Sequence, residues 1–117
     1  MDVNSKRFDE LLLVSIDEAL VSLGESAKQS IYFHIENNFK VKRNDIPENL
    51  TLFQTGLEKI FGVGARFIEI LIMKNLYGKV GRRFSVEKNQ HLEFIKYVDA
   101  ARQSFLEKHP AAEAVQN

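Results

Sequence analysis

Apolar residues recur at three- and four-residue intervals through most of the chain, the spacing of a buried helix face. Phe8, Leu12, Ile16, Leu20 and Leu23 set such a stripe between about Ser5 and Leu23, and Leu11, Leu13, Val14 and Val21 widen it beyond one narrow face. A stripe that broad predicts burial on more than one side. Gly24 reads as the C-terminal cap, because glycine accepts left-handed backbone. A second helix is expected from Ser26, a capping residue, with Ala27, Ile31, Ile35 and Phe39 on one face and Lys28, Gln29, Glu36, Asn37 and Asn38 on the wet side. Residues 40–47 read as a loop, and Pro47 suits the start of the next helix.

A third helix is predicted over about Glu48 to Phe61, with Leu50, Phe53, Leu57, Ile60 and Phe61 inward. Gly62-Val63-Gly64 breaks it, and the two glycines, Gly62 and Gly64, are expected to form the interhelical turn. The fourth helix, about Ala65 to Tyr77, is apolar nearly all round, which predicts a central position. Residues 78–83 read as a turn. A long last helix is predicted from Ser85, as N-cap, to about Lys108. Its face is Phe94, Val98, Ala101 and Phe105, with Leu92, Ile95 and Leu106 alongside. The expected fold class is therefore all-α: a compact orthogonal bundle of about five helices with a long C-terminal helix. Residues 1–110 are expected to form the single domain and 111–117 a frayed tail.

Composition narrows the chemistry. The 117 residues contain no cysteine, which removes disulfides, thiolate metal sites and cysteine nucleophiles. His34, His91 and His109 fall on separate segments without helical ligand spacing, so no metal and no cofactor is expected. No Gly-x-Ser-x-Gly elbow occurs, and the acids lie among polar residues on helix faces, so no catalytic residue is assigned. Gly62-Val63-Gly64 lacks the third glycine, the preceding strand and the Gly-Lys-Ser/Thr of phosphate-binding loops, although an anion at its free N–H groups stays open. No stretch approaches the ~20 apolar residues of a membrane span, and Asp9, Glu10 and Asp17 interrupt the first apolar run where a secretory signal would have none. A cytoplasmic protein without membrane contact is expected.

Lysine plus arginine number 16, as do aspartate plus glutamate, and this neutrality counts against a dedicated nucleic-acid binder. The charge is uneven: no acid lies between Glu69 and Glu87, where Lys74, Lys79, Arg82 and Arg83 fall. Lys79, Arg82 and Arg83 are candidate anion contacts. Two helices joined by a glycine turn also match a helix-turn-helix, but the second helix offers only Arg66 and Lys74 amid apolar surface. Nucleic acid is the alternative partner rather than the favoured one. Phe94, Val98, Ala101 and Phe105 are the candidate interface, because a long last helix projecting past the bundle over Tyr97 to Leu106 would expose them and pair them in a homodimer; the alternative is that this helix folds back over the first one.

Ile31-Tyr32-Phe33-His34-Ile35-Glu36, then Asp45-Ile46-Pro47, then Phe53, Leu57 and Ile60-Phe61-Gly62 with Gly64-Ala65, Glu69 and Ile72, resemble the Nitrosopumilus output domain family. The resemblance covers about Ser15 to Tyr77. It implies a small archaeal output or protein-interaction module in signal transduction, with an unidentified protein partner and without defined catalytic residues. The expected function is thus a non-enzymatic signalling-output or protein-interaction domain; the alternative is a transcription-associated, helix-turn-helix-like DNA-binding domain.

Overall fold

The computed structural model describes residues 3–85 and 93–109. Among them are five α-helices, two 3-10 turns and no strand. The domain is an all-α bundle. The expected frayed tail, His91, Leu92 and the N-terminal part of the expected last helix lie outside the described residues. Among the described residues, no helix is long and apolar enough to cross a membrane.

The first helix, α1 (Val3–Val21), buries Phe8, Leu12, Leu13, Ile16, Ala19 and Leu20, following the predicted stripe. Ser15, fully buried among them, donates its hydroxyl to the Leu11 carbonyl at 2.8 Å, so its polarity is satisfied inside the helix. Leu23 does not join the stripe: α1 ends at Val21, and Leu23 is exposed. Gly24 has positive φ, and α2 (Glu25–Phe39) follows at once with Gly24 as N-cap and Ser26 already inside the helix. α2 is peripheral. It packs on α1 and on α3 (Leu50–Phe61), and of its own residues only Ile31 and Ile35 are buried.

The segment read as a loop is ordered. Lys40 takes left-handed backbone at the end of α2, and Arg43–Glu48 form a 3-10 turn that contains Pro47. Ile46 in that turn is fully buried, and its carbonyl accepts from Asn49 N at 2.8 Å, so α3 starts at Leu50 rather than Glu48. α2 and α3 approach closely at Gly56: a Cβ there would lie 3.0 Å from Ile35 Cγ1.

A 3-10 turn, Gly62–Gly64, joins α3 to α4 (Ala65–Val80). Gly62 has φ 59° and ψ −133°, a region open in practice to glycine alone, whereas Gly64 is right-handed at φ −69° and ψ −15°. A Cβ at Gly62 meets nothing within 4 Å, so the cost of substitution there is purely backbone strain. Gly62→Val is expected to lower stability by about 1–3 kcal/mol. Gly64→Ala is expected to be neutral or to stabilise by about 0.4–1 kcal/mol. Paired urea melts check the contrast, and equal midpoints for both variants would contradict this geometry.

α4 is central, packed against α1, α3 and α5 (Phe94–Lys108). It runs three residues past the expected end, through Gly78, because Val80 is buried and Lys79 pairs with Glu18 on α1; Gly81, left-handed, then stops it. A glycine inside a helix costs about 1 kcal/mol, which these contacts outweigh.

The expected interface on the last helix is corrected. Phe94, Val98 and Ala101 are fully buried and Phe105 nearly so, all within the chain's own core. Phe94 lies 6.5 Å from Phe53, and Phe105 6.0 Å from Phe8, between ring centroids. Arg102 places its guanidinium 4.5 Å from the Phe8 ring centre and pairs with Asp9 at 2.8 Å. α5 therefore folds back over α1 and α4 instead of projecting. The near all-round apolarity of α4 demands this, since α1 and α3 alone do not enclose it.

Candidate functional site

With α5 docked, the exposed apolar side chains indicate where the domain can meet something else. Three of them, Ile60, Val63 and Phe67, fall within eight residues at the corner between α3 and α4. Val63, the middle residue of the three-residue turn, is 97% exposed. Phe67, one helical turn into α4, is 70% exposed, and Ile60, in the last turn of α3, is 38% exposed. Glu58 and Arg66, both exposed, flank these residues with opposite charges. Large aromatic and branched side chains left in water at one corner form the kind of patch that marks an interaction site.

Beneath the corner lies Glu69. Its position in α4, between Ile68 and Ile72, puts it on the buried side, and only 4% of the residue is exposed. It lines a cavity of about 180 Å³ together with Gln54, Glu58, Gly62, Val63, Ala65 and Arg66. Gln54 Nε2 donates to Glu69 Oε2 at 3.4 Å. Burial pushes the Glu69 carboxyl above its ordinary value, and the Glu58 charge adds to this; the Gln54 hydrogen bond and Arg66 oppose it without cancelling it. The folded state thus binds the proton more tightly than the unfolded chain does. The stability this confers is complete below the unfolded value near 4.5 and is lost as pH rises through the folded value. Glu69→Gln is expected to raise the midpoint of unfolding at pH 7 and to lose that advantage as pH falls toward 4.5, checked by melts across pH. A variant less stable than the parent at pH 7 would contradict it.

No family model, curated protein or solved structure matches the chain.

A second polar cluster ties the outer elements together. Asp17 on α1 accepts from Tyr32 Oη on α2 at 2.6 Å, from Arg43 Nε at 3.0 Å and, through its other oxygen, from Arg43 Nη2 at 2.6 Å. Burial raises the Asp17 carboxyl, but the Arg43 and Tyr32 hydrogen bonds and the Arg43 charge outweigh it, and the net shift is downward. Burial, then the Asp17 hydrogen bond, hold the Tyr32 hydroxyl well above its ordinary range, so it remains a donor. The cluster orients α2 and the Arg43–Glu48 turn against α1, and it bridges elements rather than opening onto the corner.

The candidate anion contacts separate. Lys79, in the last turn of α4, is committed to Glu18, while Arg82 and Arg83 follow Gly81 just past the same end and share a groove with the start of α5. Gly62 and Gly64 form the expected turn and frame the exposed corner. Of the second-helix residues of a helix-turn-helix, Arg66 and Lys74 are exposed on α4, Arg66 next to Phe67 in the chain and Lys74 two turns further on. Among the described residues, no group of three histidine or acidic side chains could hold a metal. Sequence reasoning missed Val63 and Phe67 as exposed groups, although a signal was present: a valine between two glycines at a helix reversal has no core to enter.

Proposed function

We propose that this chain is a non-enzymatic protein-interaction domain whose working form is a homodimer built on the α3–α4 corner. The observation that carries the reading is the near-complete exposure of Val63 beside the largely exposed Phe67. A twofold pairing through the corner would bury these side chains on each copy, and the exposed Glu58 and Arg66 that flank them offer opposite charges to such a contact. The formal net charge of zero adds no long-range repulsion to oppose association. The resemblance of residues 15–77 to the Nitrosopumilus output domain family extends this reading to the output end of an archaeal signalling protein in the cytoplasm, with the homodimer as the platform for a further protein partner.

Light scattering on the parent and on Phe67→Asp tests the proposal. The parent is expected to show twice the chain mass and the variant the chain mass. Because Phe67 is outside the core, the variant should melt within about 0.5 kcal/mol of the parent. A parent that is monomeric at submillimolar concentration, or a variant that stays dimeric, overturns the reading.

A further inference from the structure

At the far end of α4, ten residues and so about 15 Å along the helix from Phe67, lies a groove of about 560 Å³ between the Gly81–Ser85 segment and the first turns of α5. Its wall is aromatic. Tyr77 and Tyr97 line it, and Phe84 packs edge-on against both, at 5.2 Å and 5.5 Å between centroids. The Tyr77 hydroxyl donates to the Tyr97 carbonyl at 2.7 Å, which fixes the wall across the two helices. Its rim is basic: among the described residues, Arg82, Arg83 and Lys96 line the groove with one acid, Glu93.

These cations differ in how they are committed. Arg82 Nη1 donates to the Ala100 carbonyl at 3.0 Å, and its guanidinium stands 5.9 Å from the Tyr77 ring centre. It is therefore held in place, and among the described residues it spends one of its five N–H donors. Arg83 is exposed and, among the described residues, has no ion-pair or hydrogen-bond partner. Lys96 pairs with Glu93 at 3.2 Å, but both side chains are well exposed and water screens the pair. The negative end of α4 does not compensate this charge, because Lys108 Nζ already donates to the Val80 and Gly81 carbonyls. Meanwhile α5 begins beside the groove and contributes the positive end of its dipole, with no cap from the Glu93 side chain.

We propose that this groove binds a nucleoside di- or triphosphate. Guanidinium forks match phosphate oxygens bidentately, and two forks with an ammonium suit more than one phosphate. The half-buried Tyr97 offers an aromatic surface to the base, and the volume lies within the ordinary range of small-molecule sites, about 300–1,000 Å³. Lys79, paired to α1, takes no part.

Isothermal titration of the full chain with adenosine triphosphate, inorganic pyrophosphate and a single-stranded oligonucleotide tests this. Adenosine triphosphate is expected to bind, and pyrophosphate more weakly. Arg83→Gln should bind adenosine triphosphate about tenfold more weakly, the loss of a charge-assisted hydrogen bond, with an unchanged melting temperature because Arg83 has no ion-pair or hydrogen-bond partner among the described residues. Lys79→Gln should bind like the parent. No heat with adenosine triphosphate, an unaffected Arg83→Gln variant, or pyrophosphate binding as tightly as the nucleotide each overturns the proposal. So does tighter, steeply salt-dependent oligonucleotide binding, which would make the groove a nucleic-acid surface.

Discussion

Phe105→Glu is expected to unfold the domain at neutral pH rather than to separate two copies. The Phe105 side chain is 8% exposed, packs on Phe8, and has the His109 ring 4.4 Å away between centroids. Truncating a phenylalanine in such a place costs about 3–5 kcal/mol. Glutamate adds the penalty of a carboxylate among apolar side chains, with Arg102 already engaged by Asp9. A domain of this kind has about 5–15 kcal/mol of total stability, so the combined loss removes most of it. Circular dichroism during urea titration checks this: helical signal lost in buffer, or a midpoint reduced by more than half. Full helicity, an unchanged midpoint and a halved mass would instead place the α5 face in an interface.

Asp17→Ala is expected to produce the second-largest effect, a loss of about 2–3 kcal/mol at pH 7, because three hydrogen bonds involving charged groups disappear together and Arg43 and Tyr32 lose their common partner. Tyr32→Phe, which removes one of the three, should cost about 1 kcal/mol. The Asp17 effect has a defined pH signature. The folded carboxyl titrates below its ordinary value of 3.8, so its stabilisation is complete above 3.8 and fades as pH falls through the folded value. The difference between parent and Asp17→Ala should therefore be constant from pH 7 down to about 5 and narrow in acid. A difference that grows in acid would contradict the assignment of charge to this cluster.

Much of the bundle was legible because local spacing carries it. Phe8, Leu12, Ile16 and Leu20 occupy one face by arithmetic alone, and the all-round apolarity of α4 announces a helix that neighbours must cover. The Gly62 turn was legible too, since only glycine tolerates its backbone. What stayed hidden depends on pairings distant in sequence. Nothing near Arg43 says that its partner is Asp17, 26 residues earlier, so an ordered 3-10 turn read as a loop. The direction taken by α5 is likewise a tertiary matter: the stripe of Phe94, Val98, Ala101 and Phe105 looks the same whether it meets α1 or a second chain. The candidate site was half visible. Gly62 and Gly64 marked the corner, but the exposure of Phe67 follows from which side of α4 the other helices cover. In the basic segment, charge alone could not separate Lys79, spent on Glu18, from Arg82 and Arg83.

The pairing of two copies through the α3–α4 corner is tested most directly by amide NMR spectra across a dilution series from millimolar to micromolar concentration, with translational diffusion measured on the same samples. Concentration-dependent shifts should cluster at residues 58–70, while diffusion moves from the dimer value to the monomer value and α5 resonances stay fixed. Spectra that do not change while diffusion remains monomeric throughout, or shifts that cluster on α5, would contradict it.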